Sequence, residues 1–194
     1  MATGDPFSAW TGASDPEAPV QFREAGSADV LAVVTLVESA YRGGSSREGW
    51  TTEADLLRGQ RTDPDQVADL LAAPDTVLLV VDRGDDLVAC CQLEKRGARA
   101  YFGLFAVSPG EQGGGLGKRI ISYAEEYVAG QWSCRQMEMT VIRQRVDLIA
   151  FYWRRGYRDT GIRSPFPYGD ERFGIPQRDD LEFTLLEKEL APRS

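Results

Sequence analysis

The sequence predicts an α+β fold with a mixed, mostly antiparallel central sheet flanked by helices. Three observations predict it. Apolar runs at 76–82, 87–94 and 99–107 are separated by short polar turns, the pattern of an antiparallel meander. A strand, a glycine-rich loop, a helix and a further strand then come over 101–142, and such a unit joins parallel strands by a right-handed crossover. Helical periodicity before the meander and after it supplies elements to cover the sheet.

Residues 1–19 are rich in Gly, Pro, Ala, Ser and Asp and show no period; they read as a disordered tail before a single domain over 20–194. Ser27 is placed to cap a helix reaching Arg42, with Val30, Val33, Val34, Val37 and Tyr41 at helical spacing, and Gly43-Gly44 stops it. Thr51 or Thr52 is placed to cap a second helix through about Arg58. Asp63-Pro64 reads as a cap and a first-turn proline, opening a third helix to about Ala73. The meander comes next and ends at Val107-Ser108-Pro109. A helix is predicted over 116–128, a strand over 135–142, a helix over 145–155 that Gly156 stops, and strands over 157–163 and 181–190. The intervening 164–180 reads as a long loop with three prolines, a length that usually carries function or disorder.

Composition narrows the chemistry. A formal charge of −8 disfavours nucleic acid and anionic membrane as partners, and no apolar run is long enough to span a bilayer. The N-terminal segment lacks the features of a secretory signal, so a cytoplasmic location is the expectation. Cys90, Cys91 and Cys134 cannot all pair and read as small buried hydrophobes. The chain has no histidine, which removes Ser-His-Asp and Cys-His machinery and most zinc sites. No metal is expected.

The stretch from Val107 to Lys118 is the most informative. Between a strand and a helix, its glycines let a phosphate approach backbone amides at the positive end of a helix dipole. A Walker loop fails because Gln112 and Arg119 stand where Gly and Ser/Thr are required; a Rossmann loop fails at Lys118. The remaining pattern is Gln112-x-x-Gly115-x-Gly117 with an additional Gly113.

With Val107, Pro109, Gln112, Gly113, Gly115 and Gly117 in register, the chain resembles the GNAT superfamily of N-acetyltransferases, whose signature is Val-x-Pro-x-x-(Gln/Arg)-Gly-x-Gly-x-(Gly/Ala). A second block, Phe151-Tyr152 and then Gly156-Tyr157, matches the family's spacing, while Arg145 and Leu148 replace its Asn and Ala. The resemblance implies a GNAT-like acyl-CoA N-acyltransferase fold and acetyl-CoA as co-substrate. It places the coenzyme pyrophosphate on the amides of Gly113, Gly114, Gly115, Leu116, Gly117 and Lys118. The pantetheine arm would lie along the backbone of Phe105, Ala106 and Val107, and Phe151, Tyr152 and Arg154 would complete the site.

The implied activity is transfer of an acetyl group to the primary amine of a small molecule by direct attack in a ternary complex. Tyr152 is the expected general acid for the departing thiolate. Glu53 is a candidate base, with Glu94 or a water relay as alternatives. Trp50, Glu53, Phe166 and Tyr168 are candidate walls of the acceptor pocket. The other readings are a non-catalytic acyl-CoA-binding or regulatory module of the same fold and a protein-acetylating enzyme. A homodimer is left open.

Overall fold

The computed structural model describes residues 19–41, 56–170 and 174–191. Its elements are β1 (Val20–Glu24), α1 (Val30–Tyr41), β2 (Leu57–Arg58), α2 (Pro64–Ala72), β3 (Thr76–Arg83), β4 (Asp86–Arg96), β5 (Arg99–Val107), α3 (Leu116–Gln131), β6 (Gln136–Ile142), α4 (Val146–Trp153), β7 (Arg158–Pro165), β8 (Ile175–Pro176) and β9 (Glu182–Glu189). The larger sheet has seven strands in the order β1-β3-β4-β5-β6-β9-β7, and β2 pairs with β8 in a separate two-stranded ribbon. Only the β5–β6 pairing is parallel, so the sheet is mixed and mostly antiparallel, as predicted.

The central strands are apolar at nearly every position because both faces of the sheet are covered. Along β3, Leu78 and Val80 join a core with Val33 and Val37 of α1 and Val67 of α2. Leu79 and Val81 point the other way, into a core with Ile120 and Ile121 of α3 and Phe151 and Tyr152 of α4. The adjacent cysteines divide likewise, Cys90 to the first core and Cys91 to the second, so they are free, buried thiols on opposite faces.

Several boundaries differ from those the sequence predicts. Strand β1 was not predicted; it is five residues long, an edge strand paired on one side with β3, and Phe22 stacks on Tyr123 at 4.5 Å. Ser27 does not cap α1. Gly26 begins a single 3-10 turn over Ser27–Asp29, and the Asp29 carboxylate accepts from the Gly26 amide at 2.8 Å. The second predicted helix is corrected at its end: Leu57 and Arg58 form β2, paired with Pro176 and Ile175. Positions 42–55, which include the expected Gly43-Gly44 stop and the threonine caps, lie outside the described residues, as does most of the predicted tail. The predicted loop at 164–180 holds the end of β7 and the whole of β8. By contrast Asp63 caps α2 as expected, its carboxylate accepting from the Gln66 amide at 2.8 Å with Pro64 in the first turn.

Two irregularities of β5 open a cleft in the sheet. Cys90 pairs with Ala106 and Gln92 with Gly103, so Leu104 and Phe105 together face the single residue Cys91 in a β-bulge. Leu104 adopts φ +41°, a region that a branched side chain rarely enters. Beyond the bulge the strands part: β5 pairs with β6 only at Arg99–Tyr101 against Gln136–Glu138. From Phe102 and Met139 onward the two strands diverge.

Candidate active site

Two cavities flank the bulge, and Phe105 lines both. The larger, about 470 Å3, lies where β5 runs into the glycine loop and α3 meets α4. That size falls in the range of small-molecule sites. The smaller, about 110 Å3, fills the gap between β5 and β6.

The loop is built for backbone exposure. The Ser108 amide donates to the Val88 carbonyl at 2.8 Å and keeps the chain on the sheet until the loop begins. The Gln112 side-chain amide donates to the Val107 carbonyl at 2.9 Å, which gives that residue a structural task in the motif. Arg83 pairs with Glu111 at 2.8 Å and pins the 3-10 turn at Pro109–Glu111. Gly113 and Gly115 adopt φ +87° and +86°, and a Cβ at Gly115, the N-cap of α3, would be strained whatever the space. The first amides of α3 have no intrahelical acceptor and Gly115 has no side chain to cap them, so they remain donors for an anion. Gly117 serves a different end. A Cβ there would stand 3.4 Å from the Phe105 ring and 3.7 Å from Phe151, narrowing the cavity floor.

Charge suits the same ligand. Lys118, Arg154 and Arg155 line the large cavity and Asp147 is its only acidic wall among the described residues. The sequence pattern singled out Arg154 and passed over its neighbour. Arg155 lies over the Phe151 ring at 3.4 Å, donates to the Phe151 carbonyl at 2.6 Å and leaves its Nε buried without a partner. Burial first, and the adjacent Arg154 second, pull its pKa below the usual guanidinium value. A desolvated cation facing a glycine cradle and free helix-end amides fits a diphosphate. Of the other residues expected at the coenzyme, Val107, Gln112, Gly113, Gly115, Gly117 and Phe151 line this cavity. The Ala106 side chain points into the α1 core and Leu116 into the opposite core, while Gly114 is exposed at the loop surface.

Tyr152 comes directly after Phe151 on α4 and points to the other cavity, so consecutive residues of one helix serve the two spaces. It is 4% exposed, and no described residue hydrogen-bonds its hydroxyl. Burial raises its pKa well above the ordinary phenol value, with Tyr41 adding to the effect and Arg145 opposing it. Tyr41 reaches across from α1, and its hydroxyl donates to the Phe105 carbonyl, fastening the bulge. Neither Tyr41 nor Arg61, which also lines the cleft, was singled out from the sequence as a site residue, because the docking of α1 and its succeeding loop on β5 is what brings them there. Arg145 stood out in the sequence only as a departure from the family's Asn; it occupies the N-cap position of α4, is 6% exposed and lines the cleft.

The acceptor candidates separate. Phe166 is buried and lines the cleft, with its ring 5.4 Å from that of Phe183. Tyr168 lines neither cavity: its hydroxyl accepts from the Leu181 amide at 2.8 Å and donates to the Arg178 carbonyl at 3.1 Å, and its ring supports Phe166 from behind. Trp50 and Glu53 lie outside the described residues. Glu94 lines neither cavity and is held by Arg96 at 2.9 and 3.0 Å, a pairing that lowers its pKa and makes it a poor base. Among the described residues no group of three or more His, Cys, Asp or Glu could hold a metal ion.

A sheet parted beside a bulge, with a glycine loop at the mouth of its crossover helix, is the framework of an acyl-CoA-dependent acyltransferase. The model of the acetyltransferase (GNAT) family matches residues 37–157, more than half of the chain, and the chain belongs to that family. No curated protein matches the sequence. Among solved structures, the chain is similar to the ribosomal-protein-S18-alanine N-acetyltransferase of Escherichia coli, with a TM-score of 0.67 and 11% identity, covering 91% of this chain and 97% of that one. A spermidine N-acetyltransferase from Vibrio cholerae gives 0.62 and 12%, covering 88% and 94%. An IAA acetyltransferase from Bacillus cereus gives 0.60 and 18%, covering 89% and 100%. At these identities the likeness is one of fold.

Proposed function

We propose that the protein is an N-acetyltransferase that moves the acetyl group of acetyl-CoA to the primary amine of a small molecule by direct attack in a ternary complex. The observation that carries this reading is the placement of β5: its bulge separates a cationic, glycine-floored cavity from a narrow cleft containing Tyr152. The co-substrate supplies an activated thioester. The chain's own residues do the rest. Arg155, Lys118 and the α3 amides hold the diphosphate. The splayed edge of β5 gives the pantetheine arm a strand to lie beside, which directs the thioester toward the cleft.

Transfer forms a C–N bond and breaks a C–S bond. The nitrogen must lose a proton and the sulfur must gain one. Tyr152 can supply the second: its raised pKa keeps the phenol protonated at neutral pH, and its hydroxyl is not committed elsewhere. For the first, no described residue lining the cleft is a carboxylate. A water relay can take that proton from the amine instead.

A small acceptor is favoured over a protein by how the cleft is closed. The β2–β8 ribbon ties the segment after α1 to the segment after β7, and Leu57, Ile142, Phe166 and Leu181 pack together where they meet. Leu57, Ile142 and Phe166 from that cluster line the cleft. The names of the three structural relatives give an alanine of a ribosomal protein, spermidine and a compound written IAA, so the fold does not choose among acceptors. Incubation with acetyl-CoA and a panel of small amines, read by free-thiol release, tests the reading. Turnover with at least one amine supports it; acetyl-CoA binding with no turnover on any amine favours the non-catalytic alternative.

A further inference from the structure

The bulge between the two cavities is held from outside the sheet. The Ser108 amide donates to Val88 of β4, and Ala106 pairs with Cys90. Peptide groups alternate in direction along a strand, so those of Phe105 and Val107 face the other edge, the one that β6 leaves after Tyr101. On that edge side chains take the place of a neighbouring strand. The Tyr41 hydroxyl donates to the Phe105 carbonyl, and the Gln112 side-chain amide donates to the Val107 carbonyl at 2.9 Å. The Tyr41 bond joins residues 64 positions apart, and its donor is firmly placed. Tyr41 is the last residue of α1 and is 8% exposed, and Val33, Val37 and Ala40 of the same helix are buried with Leu78, Val80 and Cys90 of the sheet. Beside the bond Leu104 keeps φ +41°. A residue with a side chain stays in that region only where its surroundings hold it there.

Phe105 lines both cavities, so the orientation of its peptide sets how the two spaces meet. In the functional reading above, the thioester passes from the large cavity into the cleft at this point. Tyr41 and Tyr152 line the same cleft, close enough that Tyr41 adds to the raised pKa of Tyr152. We propose that Tyr41 is a positioning residue for acetyl transfer: by holding the Phe105 carbonyl it locks the bulge, and so aligns the thioester with the acceptor and with Tyr152. The proposal rests on acetyl-CoA occupying the large cavity and reacting in the cleft. Tyr41 acts here through the backbone of β5 and not by proton transfer. The diphosphate is held by the glycine loop and Arg155, which line the cavity that Tyr41 does not. Grip and alignment are therefore separable. Loss of the Tyr41 hydroxyl slows the reaction and spares coenzyme binding, because a misplacement of about 1 Å costs on the order of 100-fold in rate.

The test compares the full-length parent enzyme with Tyr41→Phe, which keeps the ring and deletes the hydroxyl. Both are assayed with acetyl-CoA and an amine that the parent acetylates. Rates are expressed per coenzyme-binding site counted by calorimetry, so a loss of folded protein does not register as a loss of rate. The variant is expected to lose about ten- to 100-fold in kcat, with coenzyme A affinity within about two-fold of the parent. Amide exchange read by mass spectrometry should quicken over 102–107 in the variant and stay unchanged in β3. An unchanged kcat per site overturns the inference, whatever happens to the melting temperature. So does a loss of coenzyme affinity as large as the loss of rate, which makes Tyr41 a binding residue instead. Should the variant fail to fold, the parent decides: exchange over 102–107 as slow as that of β4 supports a locked bulge, and exchange as fast as that of an exposed loop overturns it. Turnover of no amine by the parent despite acetyl-CoA binding defeats the functional reading itself, and the inference falls with it.

Discussion

Tyr152, in the last turn of α4, and Arg155, in the turn that follows it, line cavities on opposite sides of the bulge. Tyr152 is buried and raised in pKa, and no described residue hydrogen-bonds its hydroxyl, as the proposed general acid requires. Tyr152→Phe is expected to lower kcat by about 100-fold or more, the usual scale of general acid catalysis, while calorimetry finds coenzyme A affinity unchanged. Equal turnover would remove the hydroxyl from the mechanism. The sign of the pKa shift also fixes the pH profile. An acid whose pKa lies above the phenol value of 10.0 stays protonated up to at least that pH, so Tyr152 should impose no alkaline loss of kcat below it. Arg155 makes the complementary prediction. Its buried Nε lacks a protein partner, and Arg155→Gln should weaken coenzyme A binding by about 10- to 100-fold, the scale of a charged hydrogen bond. Arg154, more exposed beside it, should matter less.

At the scale of the element, the glycine loop works through dihedral angles and the open sheet edge through ion pairing. Gly115 holds φ +86° at the start of α3. Gly115→Ala imposes strain of about 1–2 kcal/mol and should lower the melting temperature while leaving measurable coenzyme A binding. Gly115→Glu adds a negative charge where the diphosphate would sit and should abolish binding; retained affinity in calorimetry would refute the loop assignment. Strand β7 is joined to β9 through Asp159, whose carboxylate accepts from Arg163 at 2.9 Å, from the Gly161 amide at 2.8 Å and from the Thr184 hydroxyl at 3.0 Å. The Arg163 pairing is the main cause that holds its pKa at about 2, below the ordinary 3.8. A depressed carboxylate stabilises the fold above its unfolded pKa and loses that contribution as pH falls through 3.8 toward 2. Thermal unfolding of Asp159→Asn should therefore show a shallower loss of stability across that acid window than the parent protein.

At the scale of the whole molecule, covering both faces of the sheet buries all three cysteines, and burial pushes the Cys90 thiol up to about 12. A thiol reagent should leave the folded protein unlabelled over the course of an activity assay and label three sites after denaturation, so thiol release reports coenzyme A alone. The family, the element order from α2 to β7 and the glycine loop were legible in the chain because each depends on local rules. Asp63-Pro64 caps a helix by its own chemistry, and the spacing of Gly113, Gly115 and Gly117 expresses the backbone angles and the close approach it must provide. Strand β1 and the β2–β8 ribbon were not legible. They are too short to show a period, and they exist because partners distant in sequence supply their hydrogen bonds. Arg145 was visible only as an exception to a motif, Tyr41 only as part of a helical stripe, and Arg61 gave no local signal. What the amino-acid sequence determined alone was the order of elements from α2 to β7 and the glycine loop, since periodicity, caps and glycine angles act over a few residues. What the tertiary structure decided was the cleft between β5 and β6, because its walls come from α1, the loop before α2, two diverging strands, α4 and the segment after β7, and only folding brings them to face one space.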